Sequence, residues 1–356
     1  MREPSCSTGT ANSVFARAML LAGAALLPCA GALAQPAESF AGKQVSILIG
    51  SAAGGGYDAY ARALARHLGR HLPGQPSLIP KNMPGAGGLT LANYLFNRGP
   101  QDGTEIGIVQ NGLPFEKLFQ TLSADGKNAL YDSTRFGWIG SMTQTVFVTV
   151  TWHDAPVKTF ADARGREAIL GATTPSADSS ILAQLSNNLL GTKFEVVHGY
   201  DGANAVDLAV EKGEVHGEAG KDWTTLKSTR PQWVSEKKIN ILLQMGTKPH
   251  PEIKDAPMAL ELARTAEDRR VMEVIFAKYG MSRPFLAPPG LAPERLALLR
   301  HAFDETMRDP AFLAEAERLG MEINPVGGAE VQKLVASIMA TPVDLAERAR
   351  EALRPK

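Results

Sequence analysis

Cysteine is almost missing from this chain: there are two among 356 residues, Cys6 and Cys29, both near the amino terminus. Beyond them no thiol is available for a nucleophile, a thiolate metal site or a disulfide. An excess of either charge is missing too. Lysine plus arginine number 37, and so do aspartate plus glutamate, a balance that argues against a nucleic-acid partner. Past the amino-terminal stretch, no apolar run reaches the 18 residues of a membrane-spanning helix. There is no Gly-x-Ser-x-Gly elbow, and no serine pairs convincingly with a histidine, so a hydrolase has little support. No Gly-Lys-Ser/Thr follows a glycine run, which excludes a P-loop.

The first 34 residues read as a removable leader. Arg2 and Arg17 precede the short apolar run Ala18–Leu27, and Ala32-Leu33-Ala34 supplies a small-x-small cleavage pattern. A secretory signal cut near Ala34 is expected, with a soluble protein exported. A lipid anchor on Cys29 is the weaker reading, because Leu27 and Pro28 fit a lipobox poorly.

What the chain does have is glycine placed directly after strands. Val45–Ile49 is a short β run, followed by Gly50-Ser51-Ala52-Ala53-Gly54-Gly55-Gly56-Tyr57-Asp58 and a helical stripe. About thirty residues on, Asn82-Met83-Pro84-Gly85-Ala86-Gly87-Gly88 repeats that order before Leu89–Leu95. Glycine lets backbone approach a ligand closely. Each helix start behind such a turn offers unpaired N–H groups and about half a positive charge. Two such turns side by side make an anion pocket without an Arg or Lys in either of them. A dinucleotide fingerprint would need an acid at the end of the next strand, where Leu78–Asn82 has none. Asp58 reads as an N-cap, with or without ligand contact, and Tyr57 either covers the ligand or packs on the surface.

From about Phe40 to Thr145 strands and helices alternate as in a parallel α/β sheet, with strands at Val45–Ile49, Leu78–Pro80, Glu105–Val109 and Trp138–Gly140. Helix Ala59–Leu72 is stopped by Pro73-Gly74. A second unit starts near Val146 with strands Val146–Val150, Ala168–Ala172 and Phe194–Val197, and with helices Phe160–Arg164, Ser179–Leu190 and Ala203–Lys212. A further strand enters at Gly217, and after Ile239–Gln244 the character of the chain changes again. Helices Met258–Arg264 and Ala266–Tyr279 follow, and Met281–Leu286 is expected to return to the first sheet. Pro293–Arg308, Pro310–Gly320 and Ala329–Arg350 complete a helical tail that packs on the first unit. His67 and His71 have two-histidine metal spacing, yet Arg66 and Arg70 flank them and no acid is near in sequence, so no metal and no cofactor are expected. His198 reads as a loop contact, His216 as a strand-end residue, and Trp223 more as core than as cleft.

These turns carry a resemblance. Ser51–Asp58 and Asn82–Gly88, with Pro100–Thr104, Tyr200–Ala203, Gly213–Val215, Pro249–Pro257 and Phe285–Pro293, together resemble the Bug/TctC family. These are periplasmic solute-binding receptors of tripartite tricarboxylate transporters. The resemblance covers nearly all of the chain after the leader. It implies an α/β, two-lobed periplasmic binding protein of the Venus flytrap, type II-like kind, each lobe a sheet flanked by helices, with the helical tail on lobe 1. Residues 35–145 and 245–356 form lobe 1 and 146–244 lobe 2. It also implies a periplasmic monomer that captures a small carboxylate and delivers it to a membrane permease, without enzymatic activity. The ligand-binding residues implied are Ala53, Gly54, Gly55, Gly56, Tyr57 and Asp58 in the first turn, and Gly85, Ala86, Gly87 and Gly88 in the second. Across the cleft they are Thr174, Ser176, Asp178 and Ser179, then Tyr200, Asp201 and Gly202, with Asp222 ahead of Trp223.

Two departures bear on the ligand. The loop at Thr174–Ile181 keeps hydroxyls but lacks the family's usual glycines and adds Asp178, which either caps its helix or meets an amino or hydroxyl group. His216 stands where an Asp often follows Gly-x-Val. An exported enzyme using the same cleft, and a sensor docking a membrane kinase, are the alternatives.

Overall fold

The computed structural model describes residues 39–120, 127–175 and 177–354. The leader and its expected cleavage near Ala34 lie outside these residues. Two mixed sheets, each flanked by helices, form the two lobes. In chain order the strands are β1 (Gln44–Ile49), β2 (Ser77–Asn82), β3 (Glu105–Ile108), β4 (Gly137–Ser141), β5 (Phe147–Trp152), β6 (Ala168–Gly171), β7 (Phe194–Val197), β8 (Gly217–Asp222), β9 (Ile239–Met245), β10 (Pro284–Ala287) and β11 (Val326–Gly327). The first sheet runs β11-β4-β10-β3-β1-β2 and the second β7-β6-β8-β5-β9.

β1 is parallel to both of its neighbours, Ile49 lying opposite Asn82 on one side and Ile108 on the other. Val45, Ile47, Leu48 and Ile49 are all buried, as expected for a strand covered on both faces. The carboxyl ends of β1, β2 and β3 therefore lie together, and the glycine turns follow the first two of them.

The expected return strand is β10, which inserts antiparallel between β3 and β4. The tail packs against this sheet: Phe303 of Pro293–Arg308 and Phe312 of Pro310–Arg318 are fully buried in one core with Ile47, Ile106 and Phe285.

Four expected elements are corrected. Helix Ala59–Leu72 instead starts at Gly56, stays α-helical to His67, and tightens over Leu68–His71. Ser179–Leu190 begins at Asp178 and widens into a π turn from Ser186 to Leu190. Ala329–Arg350 is two helices, Gly328–Met339 and Val343–Ala352, because Pro342 cannot donate in a continuing helix and disfavours helical geometry before it. Met258–Arg264 is reduced to one tight turn, Ala259–Leu262. Just before it, the fully buried Gln244 amide donates to the Ile253 and Ala256 carbonyls at 2.9 and 2.7 Å and accepts the His250 N–H at 2.8 Å. That staking keeps the proline-rich segment non-helical along β9. The two-residue β11 was not expected.

Candidate functional site

At the first turn the N-cap is Gly55, not Asp58, which sits on the third residue of helix Gly56–His67. From there the Asp58 carboxylate reaches back to accept the Gly54 N–H at 2.9 Å. It also accepts Arg62 Nε at 3.0 Å and Asn82 Nδ2 at 2.9 Å. These donors, Arg62 foremost, hold its carboxyl at about 2. Asn82 also donates to the Ser51 carbonyl at 3.0 Å, tying the turn to β2. The Gly54 amide is thus taken internally. The Gly56 and Tyr57 N–H groups, in the first helical turn, meet no acceptor among the described residues.

The second turn is built from four consecutive residues with positive φ: Gly85 (136°), Ala86 (46°), Gly87 (64°) and Gly88 (96°). Gly88 is the N-cap of Leu89–Arg98. Its N–H closes on the Gly85 carbonyl at 2.8 Å. A Cβ on Gly88 would lie 3.4 Å from the Gly50 carbonyl, so the two turns are neighbours. The turn after β3 joins them, since the Asn111 N–H donates to the Tyr57 hydroxyl at 3.1 Å. Three neighbouring turns therefore stand at the carboxyl ends of parallel strands, where open α/β sheets hold ligands.

The second lobe contributes differently. Ala177 is the N-cap of Asp178–Leu185, so Asp178 is not the cap. Its carboxylate accepts Lys278 Nζ at 3.1 Å and the Tyr279 hydroxyl at 3.0 Å. Thr174 is exposed and Ser179 buried, while Ser176 lies outside the described residues. Gly202 caps helix Ala203–Glu211 from a φ of 84°. Tyr200 is half-buried and Asp201 exposed, and among the described residues no hydrogen bond joins this turn to the first-lobe turns. Asp222 is a true cap: it accepts the Thr225 N–H at 2.8 Å and also the Thr145 hydroxyl. Trp223 is core, its indole N–H donating to Glu252 at 2.9 Å.

Sequence reasoning missed one residue. The fold brings Arg283, just before β10, over the rings of Tyr57 and Tyr60 at 4.6 and 5.1 Å. A Cβ on Gly56 would lie 3.3 Å from Arg283 Nη2. Burial pushes the Tyr60 hydroxyl up to about 12 and raises that of Tyr57. Arg283 opposes both shifts, and Asp222 adds to both. Asp178 adds to that on Tyr57. Charges from the two lobes thus converge on these rings. A cavity of about 210 Å³ lies here, with Gly56, Tyr60 and Arg283 on one side and Asp222, Thr225 and Ser228 on the other. The only sequence signal was a charged residue in Ser282-Arg283-Pro284, which is no motif.

Elsewhere, two histidines meet acids that the local sequence did not show. His67 Nε2 lies 2.5 Å from Glu315 and His71 Nε2 3.0 Å from Asp309, carboxylates supplied by the tail. Contrary to the expectation that no serine pairs with a histidine, His198 Nε2 meets Ser180 Oγ at 2.9 Å, a contact made by folding across 18 residues. His216 Nδ1 accepts the Ile169 N–H at 3.0 Å. Thr224 donates to Glu322, bridging the lobes. Within the second lobe, buried Lys221 meets both Asp207 and Glu218. Burial pushes Glu218 up to about 7 against the pull of Lys221. Among the described residues no helix is long and apolar enough to cross a membrane.

No family model matches the chain. It is 30% identical over 193 residues to a UPF0065 protein of Agrobacterium vitis, a match covering 52% of each chain and so about half the length of that relative. It is 25% identical over 318 residues to a UPF0065 protein of Cupriavidus necator, covering 86% of this chain and 88% of that one. A TctC solute-binding protein from Polaromonas superposes with a TM-score of 0.65 at 19% identity, covering 86% of this chain and 98% of the other. MatC from Rhodopseudomonas palustris, with bound malate, superposes with a TM-score of 0.58 at 16% identity, covering 87% and 99%. The chain has the two-lobed fold of TctC-type periplasmic binding proteins, and the Bug/TctC resemblance read from its glycine turns is borne out.

Proposed function

We propose that this protein is a periplasmic receptor that closes on a small organic carboxylate and delivers it to a tripartite-type membrane permease. The observation that supports the reading most is the pair of neighbouring glycine turns, the first of which leaves the Gly56 and Tyr57 amides free, with Gly56 lining a cavity shared by both lobes. An N–H to carboxylate bond is worth about 1.5–3 kcal/mol net, so four or five, less the ordering cost, support a complex near −8 kcal/mol, or about micromolar. Residues 35–145 and 245–356 act as one lobe and 146–244 as the other, and the ligand favours the shut form because only there do both touch it. Thr224–Glu322 and Asp178–Lys278 are the protein's own contacts across that closure. The malate in MatC is consistent with a carboxylate cargo.

Thermal-shift titration of the purified protein with malate, adipate, citrate, benzoate and aspartate tests the reading, with the acids recovered and assayed afterwards. Saturable stabilisation with the acid unchanged is expected. Conversion of an acid would make the protein an enzyme, and a flat response to every acid would remove the receptor.

A further inference from the structure

Arg283 leaves a fixed point of the first sheet: its N–H is held by Ser141 Oγ at 3.0 Å and its carbonyl accepts the Met142 N–H at 3.2 Å. Its Nη1 donates to the Ser282 carbonyl at 2.9 Å. Its Nε is buried with no partner. Nη2 faces the Gly56 turn, and the two phenol rings flank the guanidinium. Among the described residues no ion pair reaches it. The acids that share its surroundings are committed elsewhere: Asp178 to Lys278 and Tyr279, Asp222 to Thr145 and Thr225. A partly buried guanidinium without a counter-charge is unfavourable unless something supplies one. Aromatic faces offset part of that cost, and they also fix the side chain in one place.

We propose that Arg283 is the anion anchor of the cleft: its guanidinium receives the ligand's carboxylate beside the free Gly56 and Tyr57 amides. This rests on the receptor reading and changes its chemistry. Recognition is then by a positioned cation supported by dipoles, and a cargo without a carboxylate at that end is rejected. Asp222 on the opposite wall of the same cavity sets the direction of entry, since a carboxylate turned toward it meets like charge.

Calorimetric titration of wild type, R283Q and R283K with malate, adipate and citrate, and with the neutral diamide adipamide, tests the assignment. Whichever acid binds wild type should bind R283Q about 10- to 100-fold more weakly, the loss of one charge-assisted contact. R283K should fall between, at about tenfold, because a point charge lacks the planar fork. Adipamide should not bind wild type. Binding by R283Q within about twofold of wild type overturns the anchor and leaves the receptor standing. If R283Q does not fold, the same result for R283K overturns it. No acid binding to wild type removes the receptor and the anchor together.

Discussion

The two walls of the cleft are made of different material. On the first-lobe side the free groups are the main-chain N–H groups of Gly56 and Tyr57 after β1, while those of Gly88 and Leu89 after β2 close on the carbonyls of their own turn. On the second-lobe side the candidates are side chains, and most already have partners: Asp178 holds Lys278, and Asp222 holds Thr145 and Thr225. A backbone wall is specified by a short run of residues, whereas a side-chain wall depends on what the rest of the fold brings against it. The first is written locally and the second is negotiated at a distance.

The sharpest way to break this contrast is Gly55→Val. Gly55 has a φ of −85° and open space where a Cβ would go, the nearest atom being the Ala52 carbonyl oxygen at 3.9 Å. The fold should survive while the turn closes to ligand, and acid-induced stabilisation in a thermal-shift titration should vanish. An undiminished shift would count against the first wall. Ser179→Ala in the second lobe is the counter-test, expected to weaken binding less than about tenfold, one hydrogen bond's worth.

Next in size is Asp58→Ala, which strands the Gly54 and Asn82 donors and should cost about 2–3 kcal/mol by denaturant unfolding. The lobes should also titrate in opposite directions. Asp58 has its carboxyl lowered from 3.8 to about 2, so its contribution is full above about 3.8 and fades as pH falls toward 2. Glu218 is raised from 4.5 to about 7, so the folded state holds a proton that the unfolded chain gives up. Stability from this group is greatest below about 4.5, falls as pH rises through 7, and then levels off. Glu218→Gln should flatten melting temperature between pH 5 and 8, and a slope identical to wild type would exclude Glu218 as its source.

The smallest effect belongs to Thr224→Ala. Losing one bond to Glu322 should speed ligand release a few-fold, about 1 kcal/mol, in stopped-flow dissociation, with the melting temperature scarcely moved.

Much of the fold was legible in the residues, because periodicity and punctuation are local. β1, the glycine turns and the return of the chain into the first sheet as β10 all follow from short segments. The misplaced elements had distant causes. Gln244 stakes the segment after β9 as far as Ala256 and its backbone bridges Met258, the first residue of the helix expected over Met258–Arg264. Asp58 resembled a cap because Asp favours that position, yet Gly55 takes it and Asp58 works from the third residue.

The sequence alone determined where the glycine turns stand, since glycine after a buried strand and before an amphipathic stripe leaves few other outcomes for the backbone. Only tertiary structure decided which charges join them. Arg283 is more than two hundred residues from Gly56 in the chain, and it lies beside that turn because β10 threads between β3 and β4. Glu315 and Asp309 reach His67 and His71 because the tail packs back on the first helix. Backbone geometry is a short-range property of the chain, whereas an electrostatic environment is the sum of everything folded around it.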